Sequence, residues 1–265
     1  GVSSLSLVVS THPHEDHLGG LLTILNDIPV GQILDSGQAH TTSTFETYLN
    51  LIDQKNISYA VAERGQSIDL DSVKIEVLSP PTTHFADDLN QNSIVLKVTY
   101  NNISFLLMGD AGIVAESSLL SSGYDLQSDI LKVGHHGSSS ASSSAFLRRV
   151  KPTSSIIEVG TGNDYGHPTQ KTLNALQSTG SKVYRTDNNG NVVVTTDGQS
   201  YNVTTEKQSW STGSTSTQAT ASAVTWPASQ AATSGTTTTA TISTSSQGSF
   251  VGSSKSDKYH YPSCS

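Results

Sequence analysis

Up to about Thr205, apolar positions recur in short runs separated by polar and glycine-containing turns. Compact apolar or β-branched runs predict strands at 5–9, 73–78, 94–100, 103–108, 130–133 and 156–159. Longer stretches with helical spacing predict helices at 18–26, 42–55, 113–120, 143–150 and 169–178, with Thr42 or Ser43 suited to cap the second. Asn101-Asn102 predicts a hairpin between two of the strands. Runs at 182–186, 192–196 and 201–205, separated by Asn188-Asn189-Gly190 and Asp197-Gly198, read as closing strands. Hairpins mixed with strand–helix steps predict an α/β (α+β) domain, with sheets flanked by helices, and exclude an all-β sandwich.

The pattern stops abruptly after this region. Residues 209–248 are mostly Ser, Thr, Ala and Gly, too poor in apolar surface to offset the entropy of ordering, and are expected to form a disordered linker. Residues 249–265 regain aromatic character, so the chain divides into 1–208, 209–248 and 249–265. Counting the 21 glycines narrows the gap between 34% apolar and the about 45–50%, glycine included, of an average domain; the tail explains the rest, and the 14% charged against about 25%. A net charge of −8 argues against a general nucleic-acid coat but leaves room for a local basic groove. The lone cysteine, Cys264, excludes an internal disulfide and a four-thiolate zinc site. No run reaches the roughly 18 apolar residues of a membrane span, so a soluble chain is expected; separately, the chain is expected to be a monomer. Gly1 at the start and Met108 as sole methionine suggest a removed leader or a longer parent sequence.

Chemistry concentrates in three places. Ser10-Thr11-His12-Pro13-His14-Glu15-Asp16-His17-Leu18-Gly19-Gly20 lies between a strand and a helix. In extended backbone His12 and His14 point the same way and can meet one metal, while Asp16 and His17 at the helix start can reach a second. Imidazole and carboxylate together suit borderline divalent ions. In Leu107-Met108-Gly109-Asp110, a carboxylate directly after a buried strand is costly unless it is paired or bound to metal, so Asp110 is either a bridging ligand or part of a structural turn. Val133-Gly134-His135-His136-Gly137-Ser138 again runs from a strand into a loop with paired histidines, and His167 follows in Tyr165-Gly166-His167-Pro168. Such loops along one sheet edge fit a site on a rigid scaffold. Ser138, Ser139 and Ser140 offer donors for phosphate oxygens, or else cap the helix that follows. Lys132, Arg148, Arg149, Lys151, Lys171 and Arg185 are candidates for a positive track beside the site.

Together these motifs resemble the metallo-β-lactamase superfamily, marked by H-x-H-x-D-H, a later Gly-Asp and a further His. The wording of Gly109-Asp110-Ala111, Leu131–Ser138, Tyr165–Pro168 and Val183–Asp187 is closer still to the hydrolase domain of the ComEC competence family and its secreted stand-alone relatives. The resemblance implies an αββα sandwich, truncated at its N-terminus, with two divalent metal ions (zinc or manganese) at one edge. His12, His14 and Asp110 would hold one ion, and Asp16, His17, Asp110 and His135 the other. The superfamily's middle histidine has no obvious counterpart; Asn90-Gln91-Asn92-Ser93 or His84 stands there. The implied reaction is hydrolysis by a metal-activated water, with Asp16 as proton acceptor. His167, or whichever of His135 and His136 is not a ligand, would donate to the developing oxyanion. Ser138, Ser139 and Tyr165 would contact substrate. The competence resemblance points to DNA or a small phosphodiester. The wider superfamily also allows lactams, lactones and thioesters, and a non-catalytic metal-binding module of a secreted protein is the alternative class. Residues 249–265, with His260 and Cys264, resemble the incomplete start of an Ada-type metal-binding module, and the linker suits an extracellular setting.

Overall fold

Alternation along the strands divides their side chains among three cores, and the layers follow from which core each face joins. The computed structural model describes residues 2–85 and 88–207, together with residues 251–252 and 259–260. Strands β1 (Leu5–Ser10), β2 (Val30–Asp35) and β3 (Ser58–Val61) form a parallel sheet in that order. Helices α1 (Glu15–Asp27) and α2 (Ser43–Gln54) cover one face of it, burying Leu18, Leu25, Phe45, Tyr48 and Ile52 with Ile33 of β2. Leu34, the next residue of β2, points the other way into a core shared with the second sheet.

That second sheet has seven strands. β4 (Ser67–Leu70), β5 (Val73–Ser79), β6 (Val95–Tyr100) and β7 (Ile103–Leu107) are joined antiparallel; β8 (Ile130–Lys132), β9 (Ser154–Ile157) and β10 (Lys182–Arg185) continue from β7 in parallel. Ile75, Val77, Leu96 and Leu107 face the first sheet. Leu106, Leu131 and Ile157 face the opposite way, against α3 (Ile113–Ser121), α4 (Ser144–Val150) and α5 (Gln170–Ser178). Helix, sheet, sheet, helix is the expected αββα order. A short α6 (Thr186–Asn189) follows β10, where a bare turn was expected. The hairpin β11 (Val192–Thr196) and β12 (Tyr201–Thr205) hangs from the larger sheet: the Asn102 N–H donates to the Gly198 carbonyl at 2.9 Å, and the Tyr201 hydroxyl meets the Thr153 and Ser154 hydroxyls.

The pattern of apolar runs missed β2, β3 and β4, each broken by polar residues or glycine within a short stretch. It also started α1 too late, because the helix opens on the polar Glu15-Asp16-His17. The linker 209–248 and Cys264 lie outside the described residues. In the last segment, Val251–Gly252 and Tyr259–His260 pair as two-residue antiparallel strands. Among the described residues no helix is long and apolar enough to cross a membrane.

Candidate metal centre

The loops after β1, β7, β8 and β9 carry the chemistry, as expected of groups gathered beyond the carboxyl ends of parallel strands. The first two are packed so closely that they share a lynchpin, Ser93. The Thr11 carbonyl accepts from the Ile94 N–H at 2.9 Å, and the Asp110 N–H donates to Ser93 Oγ at 3.1 Å. Gly109 makes this approach possible: its φ is +52°, and a Cβ there would lie 3.0 Å from Ser93 Cβ. Buried His12 places Nδ1 at 3.3 Å from Ser93 Oγ and 3.2 Å from Thr11 Oγ1. With Nδ1 engaged by these hydroxyls, Nε2 is the nitrogen that faces the cluster, 3.1 Å from His14 Nδ1 and 3.8 Å from Asp110 Oδ2.

Four side chains, Asp16, His17, Asp110 and His136, bring ligand atoms within 4.8 Å of one another. His17 Nε2 lies 3.3 Å from Asp110 Oδ1 and 3.2 Å from His136 Nε2. His136 Nε2 lies 3.3 Å from Asp16 Oδ2 and 3.5 Å from Asp110 Oδ2, while its Nδ1 donates to the Glu158 carbonyl at 2.8 Å. That backbone bond fixes the tautomer that leaves Nε2 free for a metal. His135, the ligand implied by resemblance, stands at the side of this group. Its Nε2 is 3.9 Å from Asp110 Oδ2 and its Nδ1 is 3.4 Å from Ser140 Oγ. Both histidines have left-handed backbones, φ 48° and 51°, a conformation that costs about 1–3 kcal/mol per residue and is held only by its surroundings. Asp110 therefore lies between His12 on one side and His17 and His136 on the other.

This donor set fits divalent cations. Asp110 Oδ1 is buried with no hydrogen-bond partner, a deficit that coordination would remove. Burial alone would raise the Asp110 carboxyl, but the adjacent His136 and His17 imidazoles outweigh it and hold it far below the usual carboxylate range. The hydrogen bond from His136 likewise holds Asp16 down at about 2. Burial, reinforced by His17, lowers His12 to about 3, so its imidazole is neutral and has a lone pair to give. His136 goes the other way, to about 10, through its bonds to Asp110 and Asp16. Without metal, its imidazolium is the positive charge between the two carboxylates.

The remaining candidates lie around this group. His167 stands edge-on to His135, ring centroids 5.7 Å apart, and its Nδ1 is buried without a partner. Tyr165 stacks on His167 and is 83% exposed. Ser138 is buried, its Oγ bonded to Ser140 Oγ, whereas Ser139 is exposed. Lys132 pairs with Glu158 and Arg185 with Asp187; of the six cations, Lys171 reaches the His135 loop, donating to the Ser139 carbonyl at 3.0 Å. His84 is exposed and has no hydrogen bond or ion pair to the cluster among the described residues; Ser93 instead bridges His12 and Asp110. The sequence reading overlooked that role, and two others. His40 stands with its ring centroid 6.0 Å from that of His14. Asp35, beside Ser10 in the sheet, accepts from the Tyr48 hydroxyl at 3.0 Å and the Gly37 N–H at 2.8 Å. Burial pushes its carboxyl pKa up despite these bonds.

The family model of the metallo-beta-lactamase superfamily matches residues 1–160. Among curated proteins, the chain is 29% identical over 192 residues to ComE operon protein 3 of Bacillus subtilis and 34% identical over 191 residues to competence protein ComA of Neisseria gonorrhoeae. Each alignment covers 72% of this chain and 25% of the relative, so the chain spans about a quarter of their length. Among solved structures, Igni18, a metallo hydrolase from Ignicoccus hospitalis, is 17% identical with a TM-score of 0.43, covering 68% of this chain and 75% of that one.

Proposed function

Because this chain belongs to the metallo-beta-lactamase superfamily, we propose that it hydrolyses phosphodiester bonds, with DNA as substrate and two divalent ions, zinc or manganese, as cofactor. The observation that carries the reading is Asp110, a buried carboxylate with an unpartnered oxygen set between His12 and the His17–His136 pair. Bound ions would supply a water of lowered pKa and positive charge for a phosphoryl oxygen.

The chain's own groups do the rest. His12, His14 and Asp110 would hold one ion, and Asp16, His17, Asp110 and His136 the other, with His135 beside them. Asp16 is 62% exposed at its side chain, which supports it as the group that accepts a proton from water. His135 and His167 are adjacent and outside the four-residue group, which supports them as donors to an oxyanion. Similarity to two competence proteins supports a phosphodiester over a lactam, lactone or thioester. The Ser- and Thr-rich composition of residues 209–248 supports an extracellular setting.

Purified chain loaded with zinc or manganese should hydrolyse bis(p-nitrophenyl) phosphate and linear DNA, and a chelator should abolish both activities. Metal-loaded protein that leaves both diesters intact while opening a lactone or thioester would replace this reading.

A further inference from the structure

Tyr165 is the most exposed large hydrophobic side chain among the described residues, 83% accessible. Burying the apolar face of such a ring is favourable, a gain that the fold forgoes here. Yet the ring is not loose. Asn163 closes the loop beneath it: its Nδ2 donates to the His167 carbonyl at 2.7 Å, and its Oδ1 accepts from the His167 N–H at 3.0 Å. The ring stacks on His167, centroids 5.9 Å apart and planes 27° from parallel, and His167 in turn abuts His135. The loop is also docked on the histidine loop. Thr169 N–H donates to the Gly137 carbonyl at 3.0 Å, and Thr172 Oγ1 to the Ser138 carbonyl at 2.9 Å. A flat aromatic surface is thus held open to solvent at the rim of the metal cluster, with the Lys171 ammonium on the neighbouring loop.

We propose that Tyr165 is a stacking platform for the nucleobase next to the scissile phosphate. This rests on the phosphodiester reading above and adds the substrate's aromatic group to it. Aromatic stacking accepts any base and is worth about 1–3 kcal/mol per base. A ring already fixed in place loses little further entropy when it is covered.

The test compares two diesters with the same leaving group, the p-nitrophenyl ester of thymidine 5′-monophosphate and methyl p-nitrophenyl phosphate. The preference in kcat/KM for the thymidine ester should fall about 5- to 150-fold in Tyr165→Ala, in line with the loss of one stacked base. Tyr165→Phe should keep it, since the π-face survives and only the hydroxyl is lost. An unchanged preference in Tyr165→Ala, or an equal loss in Tyr165→Phe, overturns the platform. Anisotropy of a fluorescein-labelled oligothymidylate separates this result from the parent reading. If neither ester is cleaved but affinity drops in Tyr165→Ala and not in Tyr165→Phe, the platform stands and the phosphodiesterase reading falls. Equal affinity in all three proteins removes the platform.

Discussion

Ser93 shows how much of this site is decided one hydroxyl at a time. It is fully buried, accepts the Asp110 N–H and faces His12 Nδ1. A single oxygen therefore sets both the position of the central carboxylate and the ring nitrogen that His12 presents. Outer partners of this kind are worth about 10- to 100-fold in metal affinity. Ser93→Ala removes the oxygen at little change in volume, so metal affinity should drop by about that factor while the circular dichroism spectrum stays native. Competition titration against a chromophoric chelator reads it; wild-type affinity in the variant would show that Thr11 alone orients the ring. Nothing in the local sequence announces Ser93. Its partners are 17 and 81 positions away, and only the packing of β1 against β6 and β7 brings them to it. Which of His135 and His136 stands with Asp16, His17 and Asp110 was hidden for a related reason. Two successive left-handed residues aim adjacent rings differently, and no spacing rule anticipates which one reaches Asp16.

Among the elements, those with uninterrupted apolar runs were legible: β5 to β8 and the helices α2 to α5 fall close to where the pattern places them. β2 was not, although its outer half, Ile33-Leu34-Asp35, is buried. Gly31 and Gln32 break its run, and Gly31 is required because a Cβ there would lie 2.9 Å from the Ser6 carbonyl oxygen. The loop contacts were equally invisible. Gly137 has φ +81°, and a Cβ on it would come within 2.6 Å of Pro168 Cβ, so the absence of a side chain lets the His167 loop sit against the His135 loop. Gly137→Ala should therefore lower unfolding free energy by about 1–3 kcal/mol through left-handed strain, and more where Pro168 fails to move aside. It should also shift the His167 ring resonances. Urea unfolding together with histidine NMR checks both; a variant of wild-type stability with unmoved resonances would mean the loops are not locked together.

On the scale of the whole molecule, one apolar core joins two sheets face to face, two more pack helices on their outer faces, and the candidate ligands sit where strand ends from both sheets meet. His12, His14, Asp16 and His17 come from the smaller sheet and its helix; Asp110, His135 and His136 come from the larger. The candidate metal cluster is thus also a seam between the layers, and Asp110 and His136 of the larger sheet reach across it to His12, Asp16 and His17 of the smaller. The most direct measurement is metal content and diester hydrolysis, taken together, for wild type and Asp110→Asn. The amide keeps the shape and loses the charge. Bound divalent metal and turnover should disappear together in the variant while its circular dichroism remains native. A folded Asp110→Asn protein that retains both its metal and its hydrolytic rate would contradict the account at its centre.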